Sequence, residues 1–203
     1  VSLFARRIGG LRALAKGARR ERGNFSGGID LLTAGEIGVI LKRDSELATL
    51  TEWDVNETFP RLRDDLQANR AAWYVADVLG RMLPPLDPHP RLFDVTIELL
   101  RTLGHAGAIE AAMLRFQWIL LEETGWQPDL QDPQPDAHTL AFDPQEGLWT
   151  SDSGAPGAWR GRRETLVTLQ AAATGALEGQ DATSVQRANK LLAAHIRNVL
   201  GEE

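Results

Sequence analysis

Residues 11–25 read LRALAKGARRERGNF and hold Arg12, Lys16, Arg19, Arg20 and Arg22 against a single acid, Glu21. The chemistry open to such a set is anion binding. Guanidinium and ammonium groups neutralise phosphates and release their counterions. Arg6 and Arg7 extend the run, so residues 1–28 carry seven basic side chains against one acid, a net of +6. The whole chain is −6, which leaves −12 on residues 29–203. A solvated charged face is the ordinary fate of such a run, but this density exceeds ordinary mixing. A local basic field inside an acidic chain points to a polyanion ligand, and phosphate binding is favoured.

The elements that position these cations read as β structure. Leu11, Ala13 and Ala15 alternate with Arg12, Leu14 and Lys16, which places Arg12 and Lys16 on one face of a strand. Val1, Leu3 and Ala5 alternate in the same way, like a strand already in progress, so the true N-terminus is expected to lie upstream of Val1. Gly17, Gly23, Gly27 and Gly28 mark a loop. In EIGVILK, Ile37, Val39 and Leu41 share a face; in LATLTEW, Leu47, Thr49, Thr51 and Trp53 oppose Ala48 and Leu50. The two segments, joined by RDSE, form a hairpin. Short strands around a basic, glycine-rich loop suggest a small OB-type barrel.

At Phe59-Pro60 the period lengthens. Leu62, Leu66, Trp73, Val75, Ala76, Leu79 and Leu83 predict an amphipathic helix over 60–83, stopped by Pro84-Pro85. A second helix over 91–103 has Phe93, Ile97 and Leu100 inward. A third, AIEAAMLRFQWILLEETG, is apolar around most of its circumference and is expected to be central to a bundle or docked on two sides, with Gly125 as its C′ glycine. Residues 127–160 carry five prolines together with Trp149 and Trp159. They read as ordered loop or short strands, since Phe142 and the tryptophans need burial. Helices near 162–177 and 183–200 end the chain, the last with Val185, Ala188, Leu191, Leu192, His195, Ile196 and Val199 inward. The fold class is therefore α+β: an incomplete OB-type barrel over 1–56, then a helical domain over 57–203 with a loop-rich insertion at 127–160.

Hydrophobic content of 43% and charged content of 25% describe a globular chain, and no apolar run is long enough for a membrane span or a signal peptide. The absence of cysteine excludes disulfides, thiolate zinc sites and cysteine nucleophiles, and it fits a reducing cytoplasm. The four histidines (His89, His105, His138 and His195) are scattered, and none lies four residues from another. His195 reads as a satisfied core histidine. Asp64-Asp65 and Glu122-Glu123 read as solvated helix faces. No phosphate-binding glycine loop or nucleophile-elbow motif is present. A binding protein without cofactor or metal is the expected class, not an enzyme.

The run VSLFARRIGGLRALAKGARRERGNFSGGIDLLTAGEIGVIL, followed by ELATLTEWDVNETFPRLRDDL, resembles the RecO family of bacterial recombination mediators. There a strand reading TLFTxxxGxLRxLAKGARR precedes a hairpin reading ELATLxEAxxxxxFxxLRxxL. Further on, Phe116, Leu120, Leu121, Gly125, Trp126 (usually tyrosine), Pro128 and Leu130 fit the family pattern FxxxLLxxxGYxPxL. The matches fall in order over residues 1–130.

The resemblance implies an N-terminal OB barrel and a helical C-terminal domain. It implies sequence-neutral binding of single- and double-stranded DNA through Arg6, Arg7, Arg12, Lys16, Arg19, Arg20 and Arg22. It further implies annealing of complementary strands and help in loading recombinase, with RecR and the acidic tail of the single-stranded-DNA-binding protein as partners. Location would be cytoplasmic, at the nucleoid. An acidic, apolar-tipped tail needs an apolar groove with a cation at its mouth, for which Arg115 and Trp118 on the third helix are the candidates.

Two departures stand out. Many members carry two CxxC pairs for zinc after GYxPxL, whereas here Pro133 and Asp136 fall at the first pair and Thr150–Gly154 around the second. Without thiolates the site cannot hold tetrahedral zinc, and His138 with Asp136 supplies too few ligands. The insertion reads as zinc-ribbon-like but degenerate, held by prolines and tryptophans. The family's first barrel strand also precedes Val1, which leaves the expected barrel open. Two other classes remain: an interaction adaptor with a vestigial barrel, and an RNA-associated OB protein, which the helical two-thirds does not support.

Overall fold

In a computed structural model, the alternation read at the N-terminus folds as an antiparallel strand pair, β1 (Ser2–Ala5) and β2 (Gly9–Ala15). The structure describes residues 1–16, 18, 25, 28–42, 45–103, 105, 109–151, 154 and 157–201, with only the backbone of residue 46. β3 (Ala34–Lys42) and β4 (Ser45–Glu57) form the expected hairpin, and β2 lies parallel to β4. The sheet order is β1-β2-β4-β3, a mixed sheet that does not close into a barrel.

Inside it, Leu11, Ala13, Ala48, Leu50, Trp53 and Phe25 form the core, with Ile37 and Val39 packed against them. Trp53 corrects the expected alternation. Gly38 pairs with Glu52 but Val39 pairs with Leu50, so Thr51 is the extra residue of a β-bulge. The bulge flips everything beyond it to the other face, and Trp53 joins Ala48 and Leu50 inside, 4% exposed. A further register shift between Ile40 and Lys42 ends the β3 alternation, and Leu41 is exposed where it was expected to share a face with Ile37 and Val39.

Helices follow. The segment expected as one helix over 60–83 is two, α1 (Arg61–Asp64) and α2 (Leu66–Met82). Asp65 between them is extended and caps α2, its Oδ1 accepting from the amides of Gln67 (2.7 Å) and Ala68 (3.1 Å). That break resets the helical phase. The buried stripe runs through Ala68, Ala72, Val75, Val78 and Leu79, whereas Leu66, Trp73 and Ala76, expected inside, are exposed. In α3 (Pro90–Thr102) the buried residues are Leu92, Val95, Thr96, Leu99 and Leu100, with Phe93 and Ile97 only half-buried beside them.

These helices share a compact unit, Val1–Gly104, with the sheet. Gly9 makes the close approach possible: its φ is +83°, and a Cβ there would lie 2.0 Å from the Asp87 carbonyl. Next to it, the Leu86 amide donates to the Gly10 carbonyl at 2.8 Å. Phe4 meets Phe93 at 5.7 Å between ring centroids. Two forked ion pairs sit seven residues apart on α3. Arg6 grips Asp94 at 2.8 and 2.9 Å, and Arg101 grips Glu57, its shortest contact 2.8 Å. Exposed pairs of this kind contribute little individually; with the phenylalanine contact they fix where α3 lies.

The second unit, His105–Glu203, is built around α4 (Ile109–Glu123). Leu114 and the unbroken run from Phe116 to Leu121 are buried, as a central helix requires. Gly125, at φ +76°, ends it in a Schellman turn: the Trp126 amide donates to Leu121 O at 2.8 Å and the Gly125 amide to Glu122 O at 3.2 Å. α5 (Arg163–Thr174) and α6 (Ala182–Val199) pack on it. The proline-rich stretch folds into a three-stranded antiparallel sheet, β6 (Leu148–Ser151), β5 (Thr139–Asp143) and β7 (Trp159–Arg162) in that order. Its buried side is aromatic, with Phe142 at 5.2 Å from Trp149, 5.9 Å from Trp159 and 5.6 Å from the His195 ring.

Candidate nucleic-acid interface

The cations singled out by sequence separate into three groups. Arg12 and Lys16 are exposed on one face of β2 and its exit, as the alternation requires. Neither forms an ion pair among the described residues. Arg6 and Arg7 lie in the β1–β2 turn and are exposed. Arg6 is already engaged: its hydrogen bonds to Asp94 hold that carboxyl below its usual range and raise the guanidinium in turn. Arg19, Arg20 and Arg22 lie outside the described residues.

Strand pairing extends the β2 face in a way the sequence could not show. Arg12 lies beside Leu47 and Leu14 beside Thr49, while Thr49 pairs on its other side with Ile40. Paired residues point to the same face, so Leu14, Thr49 and Ile40 make one row across three strands. Lys42 pairs with Ser45, two residues before Leu47, and joins the same face as a third exposed cation. Sequence reasoning missed Lys42, Ile40, Leu47 and Leu14 as a group because the parallel β2–β4 pairing is non-local. Beyond the Thr51 bulge the same face turns acidic, with exposed Glu36, Glu52 and Asp54 and the pairings Glu36–Asp54 and Gly38–Glu52. The sheet surface therefore has a cationic end and an anionic end. Phe25, one of two aromatic residues near the basic run, is buried in the core, and Phe4 is turned toward Phe93.

A shallow concavity elsewhere in the first unit is lined by Leu31, Leu32, Phe59, Leu62 and Trp73, with Arg63 and Asp30 at its edge. Those two charges pair with each other, so this hollow offers no open anion site.

In the second unit Arg115 is exposed, and Trp118 is buried with 3% of its surface exposed. Of the pair proposed for a peptide groove, only Arg115 is accessible. His195 is buried and braced on both sides, Nδ1 at 3.0 Å from Pro144 O and Nε2 at 2.9 Å from Trp126 O. It ties the insertion to α6 as a core histidine.

The zinc that the family resemblance implies does not fit the donor set. Among the described residues no three His, Cys, Asp or Glu side chains gather where they could hold a metal. Asp132, near the first expected ligand pair, accepts from the Gln134 amide at 3.1 Å and forms an ion pair with Arg163. The aromatic cluster around Phe142 occupies the interior of this sheet instead.

Residues 1–59 match the family model for the recombination protein O N terminal part, and residues 63–202 the model for its C terminal part. The chain is similar to the DNA repair protein RecO of Rhodopirellula baltica, 34% identical over 131 residues, which is 64% of this chain and 48% of that protein. It is 29% identical over 125 residues to RecO of a Roseiflexus species, covering 62% of this chain and 44% of the relative. RecO of Laribacter hongkongensis matches at 29% over 199 residues, 96% of this chain and 80% of the relative. In the first two matches the chain spans about half the length of the relative.

Proposed function

Because the chain belongs to the recombination protein O family, we propose that it is a DNA-binding mediator of recombination in DNA repair, a binding protein without catalysis. Residues 1–56 supply the DNA-binding part and residues 57–203 the protein-facing part, with RecR and the acidic tail of the single-stranded-DNA-binding protein as partners. The work is done in the cytoplasm, on nucleoid DNA. The observation that carries the reading is the exposed β2 face with Arg12 and Lys16 unpaired among the described residues, in a segment matched by the family's N-terminal model.

Mechanistically, Arg12 and Lys16 neutralise phosphates, with Arg19, Arg20 and Arg22 following them in sequence. If about four phosphates are engaged, the logarithm of affinity falls with the logarithm of salt at a slope of about −3 to −4. Such contacts carry no sequence information, so binding is sequence-neutral. Annealing needs two strands with their repulsion screened and their pairing edges free, and a basic surface that does not read bases supplies both. Mixing two complementary oligonucleotides tests this: the protein accelerates duplex formation, and Lys16→Glu, Arg19→Glu and Arg20→Glu together abolish the acceleration while helical circular dichroism is kept. Undiminished annealing by that variant refutes the assignment to these cations, and a wild type that does not accelerate duplex formation leaves the adaptor with a vestigial barrel, docking partners near exposed Arg115, in its place.

A further inference from the structure

An acidic chain that leaves aliphatic side chains uncovered on a cationic strand face has placed them where a polyanion will lie. Leu14 is 46% exposed, Leu47 43% and Ile40 55%, all in the outer rows of β2, β4 and β3. Arg12 and Lys16 flank Leu14 at two residues on either side, roughly 13 Å apart along the strand direction. Lys42 closes the β3 side. None of the three cations has an ion-pair partner among the described residues. Glu36, Glu52 and Asp54 repel phosphate from the far end of the same face and confine a ligand to the aliphatic end.

A phosphate site alone has no use for this stripe. A duplex offers phosphates outside and keeps its bases stacked within, so exposed leucines gain nothing from it. An unpaired strand offers both phosphates and the flat apolar faces of its bases. Every base has such a face, so the contact is tolerant of sequence, and the pairing edges stay open to a second strand. An acidic peptide with apolar side chains satisfies the same charges. Peptide recognition, however, works through a groove or by adding a strand at a sheet edge, and Leu14 and Leu47 lie on the open face of the two inner strands.

We propose that the outer face of this sheet is a base platform for single-stranded DNA, in which Leu14, Leu47 and Ile40 pack against unpaired bases while Arg12, Lys16 and Lys42 hold the adjoining phosphates. The proposal rests on the DNA-binding reading above and adds a preference for unpaired strands together with the residues that set it.

The test is fluorescence anisotropy on the whole chain with three labelled probes of equal length: an oligothymidylate, an abasic oligonucleotide and a duplex. The wild-type protein binds the oligothymidylate about tenfold more tightly than the abasic strand. Leu14→Ser with Ile40→Ser brings oligothymidylate binding down to the abasic level and leaves the abasic and duplex affinities unchanged. Equal wild-type affinity for oligothymidylate and abasic strand overturns the platform. If Arg12→Glu with Lys16→Glu still weakens all three probes, the phosphate-binding reading survives that result. Wild-type protein that binds no probe overturns both. An acidic, apolar-tipped peptide that displaces the abasic strand from the wild type but not from the serine variant reassigns the stripe to a peptide and also overturns the platform.

Discussion

Arg6 and Arg12 are equal as letters in a basic run and unequal in the fold. Arg6 spends its fork on Asp94, at 2.8 and 2.9 Å, whereas Arg12 projects from β2 beside Leu47 with no ion pair among the described residues. Arg12→Gln and Lys16→Gln should each lower oligonucleotide affinity about three- to tenfold, as the loss of one charge-assisted contact does. Arg6→Gln should change affinity less and lower the thermal midpoint more, because it unpins α3. Anisotropy and thermal melts on the same three variants check the ordering, and equal affinity losses for Arg6 and Arg12 would contradict it. The type and face of Arg12 and Lys16 were legible from alternation alone. The commitment of Arg6 was not, since its partner lies 88 residues away.

At the scale of elements, local chemistry was read well where it was local. The Gly125 stop, the β3–β4 hairpin and the inner face of α6 follow from short patterns. The misses have physical causes of the same size. One inserted residue, Thr51, reversed the face of Trp53; one capping aspartate, Asp65, split a helix and shifted its buried stripe onto alanines. The strands of the insertion form around Phe142, which is fully buried, and no set of metal ligands gathers among the described residues. Phe142→Ala should therefore cost about 3–5 kcal/mol and lower the melting temperature of the second unit. A strong chelator should leave the wild-type melt unmoved; a drop on chelation would return the insertion to a metal.

The cap of α6 makes a pH prediction. Asp181 accepts from the Ser184 amide at 2.9 Å and from its hydroxyl at 3.1 Å, and these bonds, the amide first, hold its carboxyl below the ordinary value. A depressed folded-state pKa adds stability above the unfolded-state pKa and loses it as pH falls through the lower folded value. Asp94, depressed by Arg6, has the same sign. The midpoint of thermal unfolding should fall on acidification below about pH 4. Asp181→Asn, which still caps but does not titrate, should flatten that acid limb. An unchanged limb in the asparagine variant would contradict the assignment.

At the scale of the molecule, charge separation is the organising fact. The +6 of residues 1–28 and the −12 of the remainder were visible at once, and they pointed to a polyanion before any element was placed. Invisible was the sheet face on which the exposed cations gather, because the parallel pairing of β2 with β4 brings together residues more than thirty positions apart. That pairing gathers Arg12, Lys16, Lys42 and the aliphatic row, and it places the acids of β3 and β4 at the other end.

The most direct test of the whole is the salt dependence of oligonucleotide binding by the wild type and by Arg12→Glu with Lys16→Glu. The wild type should give a log–log slope of about −3 to −4, and the variant should bind more weakly with a slope shallower by about 1 to 2. Identical affinity and slope in the two proteins would show that this strand face does not hold DNA.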